Sequence, residues 1–386
     1  MIKILDCKNR YFLNNLRNIL DERKSRNKIN TDSVVKIIKD IKKNKYKALI
    51  KYEKKFSKNK NIKISKKKIS TLIKKLDPNV KQAIDFAYYR ILKFHKNQKI
   101  KNIKFKDNLN NLLEYKFTPV DSVGIYVPAN LPSSLLMNAI PARLAKVKRI
   151  VLANPKLDGQ VNAAVLYAAK KLKITEIYNM GGAQAIASLA YIYKVNKIVG
   201  PGNDYVARAK KEVFGDVGIE GMIAGPSEIT IIADKGTNLN EIITSMIGQA
   251  EHDKNSQSIL VSKSNSLINK VRKKILSEVN KIPRKKIAKN SLIKNGILIK
   301  AYSDKQIVSI INEIAPEHLE INIKKYNYLV NNIRNAGSIC VGKNSAMAVS
   351  DYNVGTNHVL PTMGSAKFSS GLNVGEFYKK TSYIKL

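Results

Sequence analysis

The chain has 386 residues, enough for two or three structural lobes and a sizeable hydrophobic core. Its 70 Lys and Arg residues against 29 Asp and Glu give a formal net charge of +41, which is typical of proteins that bind nucleic acid or another polyanion. Most of these residues are lysines spread among Ile and Asn, and no zinc-finger spacing, aromatic RNA-binding motif or Trp accompanies them, so we expect solvated lysine faces and no specific nucleic-acid site.

The amino-terminal sequence, MIKILDCKNRYFLN, lacks the apolar core and cleavage site of a signal peptide. No apolar run in the chain approaches the roughly 20 residues that cross a bilayer. The two cysteines, Cys7 and Cys340, exclude a disulfide framework and a CxxC site, which favours a reducing compartment. We therefore expect a cytoplasmic protein with no membrane partner.

The first hundred residues are predicted to form lysine-rich amphipathic helices that carry little chemistry. In TDSVVKIIKDIKK, for example, Val34, Ile37, Ile38 and Ile41 recur on one side of a helix. His95, in ILKFHKNQ, is interpreted as an ordinary residue of a helix surface.

From Val123 onward, short apolar runs alternate with helical patterns, beginning with VGIYV, SSLLMNAIPARLA and RIVLAN. A second alternation begins at EITIIAD and continues through the helix LNEIITSMIGQAEHD to the strand SILVS. Such alternation indicates parallel βαβ units with helices on both faces of a sheet. The predicted fold class is therefore α/β, with the possibility of two lobes of similar build.

Three glycine-rich turns, NMGGAQ, GPGN and AGPSE, are predicted to follow strands. None has the GxGxxG spacing of a dinucleotide-binding fingerprint. Each offers backbone amides that a phosphate can approach at the carboxyl end of a strand, although each taken alone is more typical of a plain turn.

Two polar clusters contain residue types that bind metals. Gln249 and His252 of GQAEHD stand three residues apart, and would be neighbours at the edge of an apolar helix stripe. Asp351 and His358 lie in the glycine-containing segment SDYNVGTNHVLPT. Imidazole and carboxylate or amide oxygen suit zinc, but these residues are not a zinc signature by themselves.

The segment APEHLEI places Glu317 beside His318, directly after Pro316. The preceding residues, from Ser303 to Ile314, show capping-box spacing and apolar residues at helical spacing, which predicts a helix that ends at the proline. Because proline suits the first position of a helix, Glu317 and His318 are predicted to open a new one. Without further evidence, a Glu-His pair of this kind is more typical of a surface acid and an imidazole at the edge of the core, neither with a catalytic role.

Taken together, these motifs resemble the histidinol dehydrogenase family over residues 30 to 380. The resemblance rests on the order and spacing of GIYVPANLPSSLLMNAIPA, NMGGAQAIASLAY, GPGNDYV, IAGPSEITIIAD, QAEHD, APEHLEI, NAGSI and DYNVGTNHVLPT. It implies a zinc-dependent, four-electron oxidation of L-histidinol to L-histidine by two NAD⁺, through a bound aldehyde. It also implies a homodimer with one zinc per subunit.

Site residues follow from the resemblance position by position. Glu317 and His318 match the family's acid-base pair. The zinc ligands match Gln249, His252 and Asp351, and these, with His318, also contact substrate. Ser227 matches a further substrate contact, and the NAD contacts match Tyr126, Gln184 and Asn203.

The resemblance also implies domain bounds: an N-terminal helical arm at 1–24, a catalytic lobe at 25–125 and 228–372, and a Rossmann-like NAD lobe inserted at 126–227. Residues 373–386 would be a remnant of the family's C-terminal domain, whose larger part, with a fourth zinc ligand and a substrate-binding glutamate, we expect to be absent. Ala129 and Asn130, Asp253 and Ser350 stand where the family usually has glycine. Two alternatives remain open at this point: an inactive remnant of the enzyme, and a basic nucleic-acid-binding protein on an enzyme fold.

Overall fold

The structure is a computed structural model that describes residues 2–26, 31–221 and 225–386. Its strands are β1 Lys3–Asp6, β2 Ile103–Lys106, β3 Leu112–Pro119, β4 Ser122–Tyr126, β5 Arg149–Ala153, β6 Glu176–Tyr178, β7 Lys197–Val199, β8 Gly218–Ile219, β9 Glu228–Ala233, β10 Gln257–Ser262, β11 Ile297–Lys300, β12 His318–Asn322, β13 Ser338–Val341 and β14 Tyr378–Lys385. Its α-helices are α1 Phe12–Arg26, α2 Thr31–Ser57, α3 Lys66–Lys74, α4 Pro78–His95, α5 Pro132–Leu144, α6 Ala163–Lys171, α7 Gly182–Tyr191, α8 Asp204–Val213, α9 Leu239–Ala250, α10 Asn265–Val279, α11 Lys285–Asn295, α12 Asp304–Ile314, α13 Asn327–Asn332 and α14 Met347–Tyr352. None of the helices within these described ranges combines the length and apolarity that a bilayer crossing requires.

The described chain forms two compact lobes. Lobe A comprises residues 2–26, 225–350 and 360–371, and lobe B comprises residues 31–221, 351–359 and 372–386.

Lobe A is built on a six-stranded parallel sheet in the order β1-β11-β10-β9-β12-β13. Every residue of β9, EITIIA, and of β10, QSILVS, is buried, as expected for central strands covered on both faces. Apolar residues of α9, α10 and α11 pack in one core cluster, and those of α1, α12 and α13 pack in a second. Successive β9 residues contribute to the two clusters in turn, because side chains alternate between the faces of a strand.

Lobe B contains a five-stranded parallel sheet in the order β6-β5-β4-β7-β8. Helices α3, α4, α5 and α6 contribute to one core cluster, and α2, α7 and α8 to the other. A separate three-stranded antiparallel sheet has the order β14-β3-β2. The parallel sheets flanked by helices confirm the predicted α/β class and its two Rossmann-like sheets.

The lobe bounds differ from the predicted ones. Residues 31–125 were assigned to the catalytic lobe, whereas they belong to lobe B, because α2 packs on α7 and α8 and α4 packs on α5. The predicted stripe of α2 is buried, and that apolar face is what α7 and α8 cover. Residues 351–359 also belong to lobe B, where the Asn357 side chain donates a hydrogen bond to the Met137 carbonyl at 2.8 Å.

Both ends of the described chain are integrated into a sheet. The predicted N-terminal arm supplies β1, which pairs with β11 in lobe A. The predicted C-terminal remnant supplies β14, which pairs with β3 from Tyr378 to Lys385, and Phe377 just before it is fully buried. Hydrogen-bonded pairing and burial of an aromatic ring make these segments structural parts of their lobes.

The interpretation of His95 as a surface residue is wrong. Its side chain is 1% exposed, and its Nδ1 lies 3.0 Å from the Gln98 side-chain oxygen. Burial lowers the pKa of the imidazole, because the charged form loses hydration. His95 is therefore a buried polar residue of lobe B.

Two phenylalanines of lobe B provide a matched test of this packing. We expect Phe377→Ala to lower the free energy of unfolding of lobe B by about 3–5 kcal/mol, through lost burial and the cavity left behind. Phe214, which is 71% exposed, serves as the control, and Phe214→Ala should change the same quantity by less than about 0.5 kcal/mol. Urea denaturation of both variants measures the difference, and equal effects would contradict the buried position of Phe377.

Candidate active site

The corner between α12 and β12 positions Glu317 and His318 in lobe A. The predicted helix is confirmed: the Ser303 hydroxyl caps α12 by accepting the Gln306 N–H at 3.2 Å. Ala315 then adopts a left-handed conformation, with φ 49° and ψ 61°, that turns the chain out of the helix.

The prediction that Glu317 and His318 open a new helix is wrong. His318 is the first residue of β12, which pairs in parallel with β9 on one side and β13 on the other. The Glu317 carbonyl accepts the Ser338 N–H at 2.9 Å, so pairing with β13 begins directly before the strand. Strand pairing on both sides outweighs the local preference of Pro316 for a first helical turn.

The backbone of one residue, Glu228, holds both side chains of the pair. The Glu228 N–H donates to Glu317 Oε2 at 2.8 Å, and the Glu228 carbonyl lies 3.2 Å from His318 Nδ1. Because a carbonyl can only accept, this contact requires the proton of a neutral His318 on Nδ1 and the lone pair on Nε2. Glu317 Oε2 lies 3.7 Å from the same Nδ1, and both side chains are over nine-tenths buried. A carboxylate so placed would stabilise an imidazolium.

The pair lies at the amino edge of the lobe A sheet. Glu228 and His318 are the first residues of β9 and β12, and Ser227, half-buried, directly precedes β9. Ser227 is fixed through its carbonyl, which accepts the Gln257 N–H at 3.0 Å. Ligands of open α/β sheets usually bind at the carboxyl edge, so strand order alone would have pointed to the wrong edge of this sheet.

Gln249 and His252 lie at the carboxyl end of α9, in the same lobe. Gln249 is 1% exposed, and neither atom of its side-chain amide has a hydrogen-bond partner among the described residues. His252 follows two residues after the helix ends and is exposed, with its N–H bonded to the Gln249 carbonyl at 3.3 Å. Gln249 therefore lies on the helix, and His252 lies in the turn that follows it.

The Gln249 amide fits a metal-binding role. A buried, unpaired amide is costly, because it has lost its hydration without gaining a partner. Amide oxygen and imidazole nitrogen are both donors that zinc accepts. Within the described ranges, however, no three His, Cys, Asp or Glu side chains are clustered so as to hold a metal ion. Lobe A thus offers two compatible donors, one buried and one exposed.

Asp351 and His358, the other residues singled out, belong to lobe B. Asp351 is 9% exposed within α14. His358 Nδ1 lies 3.0 Å from the Asp351 carbonyl, so the loop that follows α14 folds back on it.

The residues matched to NAD contacts meet at the carboxyl edge of the lobe B sheet. Tyr126 ends β4, and its hydroxyl accepts the Gly182 N–H at 3.4 Å. Gln184 lies in the first turn of α7 and is 3% exposed. Asn203 caps α8 by accepting the Val206 N–H at 3.2 Å. The glycine-rich turns NMGGAQ and GPGN therefore do follow strands, whereas AGPSE directly precedes β9, and its Ala224 lies outside the described residues.

The GPGN turn is held against β4 by a buried ion pair that the sequence did not reveal. Gly200 has φ +111°, and an added Cβ there would clash with the Tyr126 carbonyl. The Lys210 ammonium donates to the Gly200 carbonyl and pairs with Glu220, and both side chains are almost fully buried. Burial raises the pKa of Glu220, and Lys210 opposes that shift.

Glu53 is a second residue that the sequence analysis missed, in a region predicted to carry little chemistry. Its carboxylate accepts the Gly181 N–H and the Gln184 side-chain N–H, each at 2.9 Å. Glu53 is 1% exposed, and burial raises the pKa of its carboxyl, while these hydrogen bonds act in the opposite direction. Glu53 follows buried Leu49 by four residues, which places its carboxylate on the apolar face of α2. A carboxylate at such a position was the feature of the sequence that could have indicated a buried polar contact.

Comparison with known proteins gives consistent matches. The family model described as histidinol dehydrogenase matches residues 20–386. A histidinol dehydrogenase of Pelagibacter ubique is 58% identical over 393 aligned positions, which cover 100% of this chain and 92% of that protein. A histidinol dehydrogenase of Bacillus licheniformis is 45% identical over 358 positions, covering 90% and 84%. The crystal structure of histidinol dehydrogenase from Elizabethkingia anophelis superposes with a TM-score of 0.91 at 33% identity, covering 100% of this chain and 90% of that one.

The contribution of Glu53 to the stability of the protein should decrease as pH rises. Its pKa is raised above the ordinary value of 4.5, so the folded state binds more protons than the unfolded state just above that pH. Stability contributed by protonated Glu53 is therefore lost as pH rises through the folded-state pKa. We expect the melting temperature of Glu53→Gln, relative to the original protein, to rise across this window and to level off above it.

Glu313→Gln is the control, because the hydrogen bond from Arg17 lowers the pKa of Glu313 and the sign reverses. The original Glu313 loses its stabilising contribution as pH falls, so this variant should gain relative stability toward acid. Melting curves from about pH 3 to pH 8 cover the window above pH 4.5 for Glu53 and the window below it for Glu313. Parallel curves for both variants would contradict the assignment for Glu53.

Proposed function

Because this chain belongs to the histidinol dehydrogenase family of NAD-dependent oxidoreductases, we propose that it oxidises L-histidinol to L-histidine with two NAD⁺, through a bound aldehyde and its hydrate. The observation that carries the proposal is the buried Glu317–His318 pair, held by the backbone N–H and carbonyl of Glu228. It supplies a carboxylate and an imidazole side by side, the two bases that the two half-reactions require.

His318 is the base of the first half-reaction. With Nδ1 bonded to a carbonyl, Nε2 carries the lone pair and accepts the alcohol proton as hydride passes from the carbinol carbon to NAD⁺. Glu317, 3.7 Å from Nδ1, stabilises the imidazolium that forms.

Glu317 acts with His318 in the second half-reaction. It accepts a proton from water as that water adds to the aldehyde carbon, while the imidazolium of His318 gives its proton to the carbonyl oxygen, and the neutral hydrate results. A second hydride then passes from the hydrate to the second NAD⁺ as a hydrate hydroxyl gives its proton to the neutral His318, which leaves the carboxylic acid. A water nucleophile needs a base and no thiol, which agrees with the position of Cys340 on β13 and with a pKa raised by burial.

Zinc, with Gln249 and His252 of lobe A as proposed ligands, would bind and orient the nitrogen atoms of the substrate. Asp351 as a further ligand and Ser227 as a substrate contact are proposed from the family resemblance. In lobe B, we assign NAD binding to Tyr126, Gln184 and Asn203.

The remaining assignments are also proposals from the resemblance: one zinc per subunit and a cytoplasmic homodimer. A monomer in sedimentation equilibrium would contradict the dimer. No observation on the described residues favours the inactive remnant or the nucleic-acid-binding alternative.

Glu317→Gln separates the two half-reactions. We expect the rate of aldehyde oxidation to fall by about 10²- to 10⁴-fold, because the base that activates water is lost, while the first oxidation falls less. Stopped-flow NADH formation from L-histidinol and from the aldehyde, with zinc added, gives both rates. Equal losses would refute the separate roles, and no NADH from the unaltered protein would refute the proposed function.

Gln249→Leu should separate stability from metal binding. Removing an unpaired buried amide should raise the free energy of unfolding of the metal-free protein by about 1 kcal/mol. Loss of a ligand should at the same time weaken zinc binding by at least about tenfold. Chemical denaturation and a zinc titration measure the two effects.

Gln257→Leu is the matched control for this test. Gln257 is equally buried in lobe A, but its amide is hydrogen-bonded to Arg23 and to the Asn295 carbonyl. This variant should lose stability and keep its zinc affinity. Unchanged zinc affinity in Gln249→Leu would remove Gln249 from the ligand set.

A further inference from the structure

Arg23 of α1 is buried at the amino edge of the lobe A sheet, far in sequence from the site it contacts. Its side chain is 5% exposed, and its guanidinium pairs with the Glu228 carboxylate. It also donates to the Pro226 carbonyl at 2.8 Å and to the Asn255 carbonyl at 3.1 Å. A planar guanidinium with five N–H groups can hold three acceptors in fixed directions.

These contacts fix the chain at Glu228, whose backbone holds the acid-base pair, and just before it. Arg23 binds the carbonyl of Pro226, two residues before Glu228, and the side chain of Glu228 itself. The Met363 N–H donates to the same carboxylate at 3.0 Å. The Glu228 N–H and carbonyl are thereby aimed at Glu317 and His318.

We propose that Arg23 is a positioning residue for Glu317 and His318, acting through Glu228. The inference rests on the proposed function for the catalytic importance of the pair. The structural part of the inference is independent of the proposed function. Arg23 keeps the Glu228 carbonyl within reach of His318 Nδ1 and so selects the tautomer with the proton on Nδ1.

The alternative is that the Arg23–Glu228 pair only stabilises the lobe. A buried ion pair is on balance a weak stabiliser, because the cost of removing both charges from water offsets their attraction. Removing one partner is costly, since a buried charge is then left alone. The experiment must therefore separate an effect on the stability of the lobe from an effect on the position of the Glu228 backbone.

The principal variant is Arg23→Met with Glu228→Gln, which leaves no unpaired buried charge and keeps an acceptor for Met363. Arg23→Lys is the conservative variant: it retains the charge but cannot reach all four acceptors, which are Glu228, Gln257 and the carbonyls of Pro226 and Asn255. Arg17→Met is the control, because Arg17 lies on the same helix and pairs with Glu313 at 3.0 Å, but its side chain is 52% exposed. Melting temperature is measured for each, and activity is assayed well below it.

The first readout is kinetic. A displaced acid-base pair should lower kcat by about 10- to 100-fold in the double variant. KM for L-histidinol should change by a smaller factor than kcat, because the pair acts in the chemical step, whereas Ser227, beside Glu228, and His318 are also proposed substrate contacts. Arg23→Lys should fall between the double variant and the original protein, and Arg17→Met should match the original protein.

The second readout is independent of activity. The chain has four histidines, so ¹⁵N-histidine labelling gives four ring systems, and comparison with His318→Gln assigns the one of interest. We expect His318 to be protonated on Nδ1 in the original protein and in Arg17→Met. In the double variant its ¹⁵N shifts should move toward a mixture of tautomers.

A double variant with unaltered kcat and an unaltered His318 spectrum would overturn the inference. If His318→Gln and Glu317→Gln both retained full activity, the proposed catalytic roles of the pair would fail, and no NADH from the original protein would refute the proposed function; in either case the spectrum of the double variant would still decide whether Arg23 positions the Glu228 backbone. Should the double variant fail to fold, Arg23→Lys provides both readouts, and unaltered results from it would likewise overturn the inference.

Discussion

The backbone of Glu228 is the constraint on which the lobe A site depends. A single N–H and a single carbonyl, fixed in direction by the start of β9, set the orientation of both Glu317 and His318. Backbone groups at the end of a paired strand have little freedom, so the two side chains need no flexible partners to stay aligned. The same alignment determines which imidazole nitrogen can act as a base.

Lobe B achieves comparable order by a different means. There the glycine-rich turns are held by buried charged side chains: Glu53 binds the turn before α7, and Lys210 with Glu220 binds the turn before α8. Such groups are expensive to bury unless every charge is paired or hydrogen-bonded. Their presence at both turns indicates that turn geometry in this lobe depends on specific polar contacts more than on turn propensity.

The sequence predicted the parallel sheets and most flanking helices, because buried strands and amphipathic helices leave apolar runs and periodicities in the chain. It failed where a partner far away in the sequence decides the outcome. Pro316 suits a helix start, but pairing with β9 and β13 makes the next residues a strand. Arg23 contacts a residue 205 positions away, and no local pattern marks such a contact. The predicted site residues came from motif resemblance, which carries no information on the residues that orient them.

The placement of Glu317 and His318 at the amino edge of their sheet has an electrostatic consequence. Helices α9 and α12 run opposite to the strands, so their carboxyl ends, at Ala250 and Ile314, lie at this edge. The aligned peptide dipoles of a helix place a partial negative charge at that end, and it acts within the last turn. This partial charge acts locally, whatever the net charge of +41. Near these helix ends it favours positive groups, such as an imidazolium, an ammonium group or a divalent metal ion.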